Sequence, residues 1–279
     1  MQERTAVVGT IPMRWLDEGE GTPVVFVHGV PTSPELWRHV VPRVTGARRL
    51  AWEMVGFGGS IAAGRDRDIS VARQAGYLAA WLRHVGLSRA VLAGHDLGGG
   101  VAQILAAREP ERVAGLVLTN SIGYDSWPIP SVRAMRRFAG GLRLLPDVAV
   151  YPAFVNLLRR GHDDPARAAE SIGTHWRHYV THGAARSLAR QVSALDVRDT
   201  LAVADRLPAL DLPARVVWGA ADQFQQVSYG ERLARDLGTE LDRIAGGRHF
   251  TPEDHPDRIA TAVGDVLRAV EQPSAGGRA

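Results

Sequence analysis

Cysteine is absent from the 279 residues, which excludes disulfides, thiolate metal sites and a cysteine nucleophile outright. No segment approaches the ~18 uninterrupted apolar residues that spanning a bilayer requires. The start, MQERTAVVGTIPMRW, lacks the basic-then-apolar order of a secretory signal. The expectation is a cytoplasmic protein without membrane association. Lysine is missing as well: all 33 cations are arginine, set against 30 acids for a net charge of +3. They are interleaved with acids, as in Arg65-Asp66-Arg67-Asp68, and form no stripe. Solvated helix faces look like this, so no nucleic-acid partner is expected.

What is present is an ordinary globular composition, 45% hydrophobic and 23% charged, in a chain long enough for one large α/β domain or two modest ones. Val24-Val25-Phe26-Val27 reads as a buried strand ending at His28-Gly29, with a helix expected from about Ser33 to Val44. An apolar stretch from Leu50 to Val55 is broken by Gly56-Phe57-Gly58-Gly59. A helix capped by Ser70 should run to about Val85, followed by strand Ala90 to Ala93. A turn at Gly94 to Gly100 leads to helix Val101 to Ala107 and strand Val113 to Leu118. Strands separated by helices of ten or more residues indicate βαβ crossovers and a mostly parallel sheet, so the fold class is α/β.

The alternation stops from Gly123 to about Arg206, where arginine-rich helical patterns and aromatics carry no convincing strand. It resumes with strand Ala214 to Trp218, a helix near Val227 to Leu237, strand Leu241 to Ile244 and a helix from Pro256 to Val270. The expected layout is a sheet core from 1–122 and 207–271, a helical cap at 123–206 inserted after the sixth strand, and a disordered tail at 272–279.

The segment Gly94-His95-Asp96-Leu97-Gly98-Gly99-Gly100 lies between a predicted strand and a predicted helix. Small residues around position 96 suit a sharp turn that lifts that side chain over the carboxyl edge of the sheet. A carboxylate there can attack carbon and form an alkyl ester, which suits displacement at sp³ carbon. A blander role for Asp96 is capping the helix that begins near Leu97. Two further segments weigh against that. Asp222 follows strand Val216-Val217-Trp218, and His249 follows the last predicted strand, giving the order nucleophile, acid, histidine. A neutral imidazole oriented by a carboxylate can take a proton from water, and that water can hydrolyse the ester. The backbone N–H groups of Val30 and Leu97 are candidates for an oxyanion hole.

His28-Gly29-Val30-Pro31-Thr32-Ser33-Pro34-Glu35-Leu36-Trp37-Arg38, the Gly94–Gly99 elbow and His249-Phe250-Thr251-Pro252-Glu253-Asp254-His255-Pro256 together resemble the haloalkane dehalogenase and epoxide hydrolase branch of the α/β-hydrolase superfamily. The resemblance covers the sheet core at both ends of the chain and is weak in the cap. It implies an Asp-His-Asp triad of Asp96, His249 and Asp222 with no cofactor. It also shows departures. Dehalogenases of this type usually place Trp after the nucleophile and often Asn after His-Gly to hold the halide, where this chain has Leu97 and Val30. Epoxide hydrolases usually bring two cap tyrosines to the ring oxygen, and the spacing of Tyr124, Tyr151 and Tyr179 does not single out a pair. Some dehalogenases carry the triad acid at the position of Asn120, and asparagine there leaves the role to Asp222.

His178 and His182 lie four apart but lack the glutamate of a zinc-protease helix, so no metal is expected. Candidate pocket residues are Trp37, Tyr124, Trp127, Tyr151, Trp176, Tyr179, Phe224 and Phe250. The expected function is a hydrolase acting on a small apolar organic substrate with water, opening an epoxide, because cap tyrosines or histidines could protonate the alkoxide whereas a halide needs N–H donors that Val30 and Leu97 do not supply. The alternatives are a haloalkane dehalogenase, in which Trp37, Trp127 or Trp176 supplies an indole N–H, and a non-hydrolytic or ligand-binding member of the fold.

Overall fold

The computed structural model describes residues 1–272; beyond Gln272 the expected tail lies outside the described residues. Eight strands form one sheet: β1 (Gln2–Val8), β2 (Ile11–Glu18), β3 (Thr22–Val27), β4 (Ala47–Trp52), β5 (Ala90–His95), β6 (Val113–Thr119), β7 (Ala214–Gly219) and β8 (Leu241–Ile244). Their order is β1-β2-β4-β3-β5-β6-β7-β8. β2 runs antiparallel to β1 and β4, and every other pair is parallel. The parallel strands therefore all end on one edge. Every residue of β5 and β6 is buried, as a strand covered on both faces requires. Their β-branched and small residues meet that condition. β1 is largely exposed and carries only weak alternation, whereas β2 alternates buried and more exposed residues.

Helices cover both faces: α1 (Val71–His84), α2 (Leu97–Arg108), α9 (Val227–Asp236), α10 (Thr251–Asp254) and α11 (Pro256–Glu271). Ser70 caps α1 by accepting the N–H of Arg73. Between β6 and β7 lie α3 (Pro130–Arg137), α4 (Ala139–Leu142), α5 (Asp147–Gly161), α6 (Pro165–His182), α7 (Ala184–Ser193) and α8 (Arg198–Leu201), with no strand among them. No described helix is long and apolar enough to cross a membrane.

Two expectations are corrected. The helix over Ser33 to Val44 is two short 3-10 turns, Pro34–Trp37 and Val41–Arg43. Pro42 has no N–H to give, and its ring would strike the carbonyl four residues back, so an α-helix cannot continue through it. Conversely, α2 starts at Leu97 instead of Val101. The glycine run reads locally as a turn, yet these residues form the first turn of the helix, and glycine is required there because a side chain has no room. A Cβ on Gly98 would lie 2.1 Å from the Val27 carbonyl oxygen, and one on Gly99 would lie 2.0 Å from Ser121 Oγ.

Candidate active site

Asp96 stands between β5 and α2 with φ 51° and ψ −120°, a backbone conformation that side-chain-bearing residues rarely adopt and that functional turns retain. Its neighbours make the bend sterically possible. A Cβ on Gly94 would come within 2.6 Å of the Gly98 carbonyl oxygen. The Asp96 side chain makes no capping hydrogen bond to α2, so its placement is not explained by helix capping. Instead Oδ2 accepts the backbone N–H of Val30 at 2.9 Å. Gly29 leaves the space for this, since a Cβ there would lie 2.4 Å from that same oxygen.

His28 holds the Val30 loop. Its Nε2 accepts the N–H of Met54 at 3.1 Å, so Nδ1 carries the proton and donates to the Gly29 carbonyl at 2.9 Å. Complete burial drives its pKa down to about 3, leaving a neutral ring whose two nitrogens have fixed roles. Sequence pattern offered no signal for this role beyond the position of His28 at the strand end.

Asp222 and His249 come from the loops after β7 and β8. Asp222 Oδ2 lies 2.9 Å from His249 Nδ1 and also accepts Asn120 Nδ2 at 2.7 Å, while Oδ1 accepts the N–H of Phe224 at 2.7 Å. Asn120 is itself fixed, its Oδ1 accepting from Thr251 Oγ1 at 2.9 Å and from the Gly219 N–H at 3.2 Å. Asparagine at this position thus serves the acid as a donor. Burial disfavours the His249 imidazolium, but the charges of Asp222 and Asp96 and the hydrogen bond that Nδ1–H donates to Asp222 outweigh it and raise the pKa. For Asp96, burial raises the pKa against the opposing pull of the His249 charge and the N–H groups of Val30 and Leu97.

Asp96 and His249 face one cavity of about 70 Å³. A single water needs roughly 10–15 Å³ of such space, so the cavity takes a molecule of a few heavy atoms. Val30, Leu97, Trp127, Phe224 and Phe250 line it, as do Ile122, Pro128, Ile129, Val132, Leu157, Leu195 and Gln225, which the sequence did not single out. Trp127, Ile129, Val132, Leu157 and Leu195 come from the segment between β6 and β7. The wall is apolar almost throughout. Trp127, Pro128, Ile129 and Phe224 also border an outer cleft of about 820 Å³.

Five expected pocket residues lie elsewhere. Trp37 packs in the core, its ring 5.2 Å from that of Phe26. Tyr124 turns towards α9, where its hydroxyl donates to Asp236 at 2.6 Å. Tyr179 is buried and donates to Gln191 Oε1 at 2.8 Å. Trp176 packs on Phe154, and Tyr151 lies at the surface against Trp176. No tyrosine reaches the cavity. Trp127 does, but its indole N–H is given to Thr200 Oγ1 at 2.7 Å. Among the described residues, no group of three His, Asp or Glu side chains is arranged to hold a metal ion.

A buried carboxylate, two backbone donors and a carboxylate-oriented imidazole at one sheet edge form an arrangement able to run nucleophilic hydrolysis. Residues 22–256 match the family model described as alpha/beta hydrolase fold. The chain belongs to that α/β-hydrolase family. This hydrolase is 28% identical over 272 residues to haloalkane dehalogenase 2 of Mycobacterium bovis, with 90% of each chain covered. Among solved structures, an α/β-hydrolase fold protein from Burkholderia ambifaria superposes with a TM-score of 0.87 at 24% identity, covering 93% of this chain and 96% of that one. The epoxide hydrolase CorEH superposes with a TM-score of 0.77 at 22% identity, covering 96% and 99%. At those identities the structural likeness is one of fold. The sequence relatives from Mycobacterium bovis and Sphingobium indicum, each 28% identical to this chain, are haloalkane dehalogenases.

Proposed function

We propose that this hydrolase displaces halide from a small haloalkane through an ester formed on Asp96. The carrying observation is that the Asp96 carboxylate and the His249 imidazole share one small apolar cavity. Val30 engages Asp96 Oδ2, so Oδ1 is the attacking oxygen. It bonds to carbon while the carbon–halogen bond breaks and the halide leaves with the electron pair. His249 then takes a proton from water, and the water oxygen adds to Cγ of the ester. Charge gathers on the oxygen that the Val30 N–H holds, with the Leu97 N–H as the second donor to this carboxyl group, a placement that stabilises it in a water-poor site. On collapse the Cγ–Oδ1 bond breaks as the His249 proton passes to the departing oxygen, which leaves as the alcohol, and loss of the remaining water proton restores the carboxylate. The sum is haloalkane plus water giving alcohol, halide and a proton.

The lining supports halide over epoxide. Displacement at saturated carbon is in line, so the leaving group departs from the face opposite Asp96. An alkoxide would have to be protonated there, and beyond Asp96 and His249 the cavity is lined by no side chain that can yield a proton. A halide leaves without one. The curated relatives are named haloalkane dehalogenases, which agrees with this choice.

The test uses His249→Gln, which should form the ester and fail to hydrolyse it. Incubation with bromobutane should add one butyl group to the peptide that contains Asp96, as seen by mass spectrometry, while turnover falls about 10²-fold or more. Labelling by epoxybutane and not by bromobutane would reverse the leaving-group assignment. No adduct from either would remove covalent catalysis by Asp96.

A further inference from the structure

If the leaving group is a halide, something must receive its charge, and the two positions next to the oxyanion hole are Val30 and Leu97, whose side chains have no hydrogen to donate. We propose that the side-chain amide of Gln225 holds the departing halide. The inference rests on the halide reading above.

Gln225 lies in the loop between β7 and α9, three residues beyond Asp222. Its backbone is pinned, because its carbonyl accepts the indole N–H of Trp218 at 2.9 Å. The residue is 3% exposed and lines the cavity beside Phe224 and His249. Its Oε1 is buried without a hydrogen-bond partner. Among the described residues no hydrogen bond engages its NH2 group either, so the whole side-chain amide of this cavity-lining residue is uncommitted.

The alternatives are spoken for. Of the other lining side chains, only Trp127, Asp96 and His249 carry polar hydrogens or charge, and the Trp127 N–H belongs to Thr200. The neighbouring Gln223 has its Oε1 held by Arg160 at 3.1 Å and borders the outer cleft, not the cavity. Gln225 is thus the uncommitted donor in the cavity wall. Its chemistry also matches the leaving group. A neutral amide donates hydrogen bonds to an anion but is far too weak an acid to protonate an alkoxide, so it serves a halide and would leave an epoxide oxygen unprotonated. The halide carries more charge in the transition state than in the haloalkane, and a fixed donor in an apolar cavity acts on that difference.

The test compares wild type, Gln225→Leu and Gln225→Glu. Gln225→Glu keeps the shape and adds a charge that repels halide, so it guards against a result caused by a lost side-chain volume. Thermal melting checks that all three fold. The amide should matter to alkylation and not to hydrolysis of the ester. Single-turnover alkylation by bromobutane should slow by about 10²-fold in both variants, the scale of losing one oxyanion-type donor. Inhibition by added bromide should weaken at least about tenfold, which equals about 1.4 kcal/mol. The rate of ester hydrolysis should stay within about threefold, because no halide is bonded to substrate in that step. If folded Gln225→Leu keeps both its alkylation rate and its bromide inhibition while bromobutane still labels Asp96 in His249→Gln, the Gln225 assignment falls and the halide reading stands. If bromobutane labels no protein at all, the halide reading has failed and the assignment falls with it.

Discussion

The carbonyl oxygen of Gly161, the last residue of α5, accepts the backbone N–H of His249 at 2.9 Å and that of Phe250 at 3.0 Å. One end of an inserted helix therefore holds the loop that carries the imidazole. Gly161 is also where that loop fits tightly, since a Cβ would lie 2.4 Å from Phe250 Cε2, and the Phe250 ring meets His249 edge-on at 5.0 Å between centroids. Gly161→Val should push Phe250 into His249. We expect about 1–3 kcal/mol of destabilisation from overpacking, and a fall in kcat of about 10-fold or more from a misplaced base. Urea unfolding and steady-state rates measure the two; full activity in a destabilised variant would show that this contact does not position the base.

Asp222→Asn should preserve the shape of the loop and lose the anion that orients His249. Without it Nδ1–H has no carboxylate to face, and the wrong tautomer becomes available, the same fault that costs a serine-protease triad about 10⁴-fold. A loss of at least 10²-fold is expected here, concentrated in ester hydrolysis. The alkylated enzyme should then accumulate on mixing with substrate, and mass spectrometry would reveal it; an unchanged steady state would contradict the assignment.

Asp96 and His249 stabilise one another's charge, so each should titrate differently when the other changes. Asp96 must be ionised to attack. Its pKa is raised by burial and lowered by the His249 charge, so removing that charge in His249→Gln should move the acid limb of alkylation to higher pH than in wild type. His249 must be neutral to act as base. Once Asp96 is esterified, one of the charges that raise the His249 pKa is gone, and the ring releases its proton at lower pH than in the free enzyme. Imidazole titration by NMR in the free protein, compared with the pH dependence of ester hydrolysis, should give the higher value in the free protein.

Neutralising Asp96 should stabilise the fold while abolishing turnover. A carboxylate whose folded pKa lies above its ordinary 3.8 opposes folding at neutral pH. That opposition fades as pH falls through the folded value, so Asp96→Asn should melt higher than wild type at pH 7 and approach it at low pH. Each kcal/mol relieved should raise Tm by about 2–4 °C. A lower Tm for the variant at pH 7 would refute the electrostatic cost.

Glu253 links the inserted helices to the core. Its Oε2 lies 2.8 Å from His162 Nε2 and its Oε1 lies 3.5 Å from His175 on α6, and Arg38 pairs with it from the loop after β3. Burial would raise its pKa, but His162, His175 and Arg38 hold it well below 4.5. The stability it contributes is complete above 4.5 and is lost as pH falls through the lower folded value. Glu253→Gln should cost about 1–3 kcal/mol at pH 7, because Arg38 loses its buried partner and keeps only the more exposed Glu170. The gap from wild type should narrow as the pH drops below 4.5. A gap that stays constant with pH would mean that packing alone is lost.

The turn at Asp96 could be read from residues 94 to 100 because its requirements are local: glycines where neighbouring backbone leaves no space, between a strand run and a helix run. The order Asp96, Asp222, His249 was legible for a related reason. Each follows a parallel strand, and parallel strands end on one edge, so placement needs only the strand pattern. What lines the cavity was legible only in part: Trp127, Phe224 and Phe250 line it, and the other five candidates lie elsewhere. Tyr124, Tyr151 and Tyr179 have the chemistry of a cap acid, yet Tyr124 turns to Asp236, Tyr179 to Gln191, and Tyr151 lies at the surface against Trp176. Gln225 carried no pattern at all, and Asn120 stood only where an acid was absent. Local sterics set the bend and the strand ends. Which face of an inserted helix or loop meets substrate depends on long-range packing, and that exists only once the chain has folded.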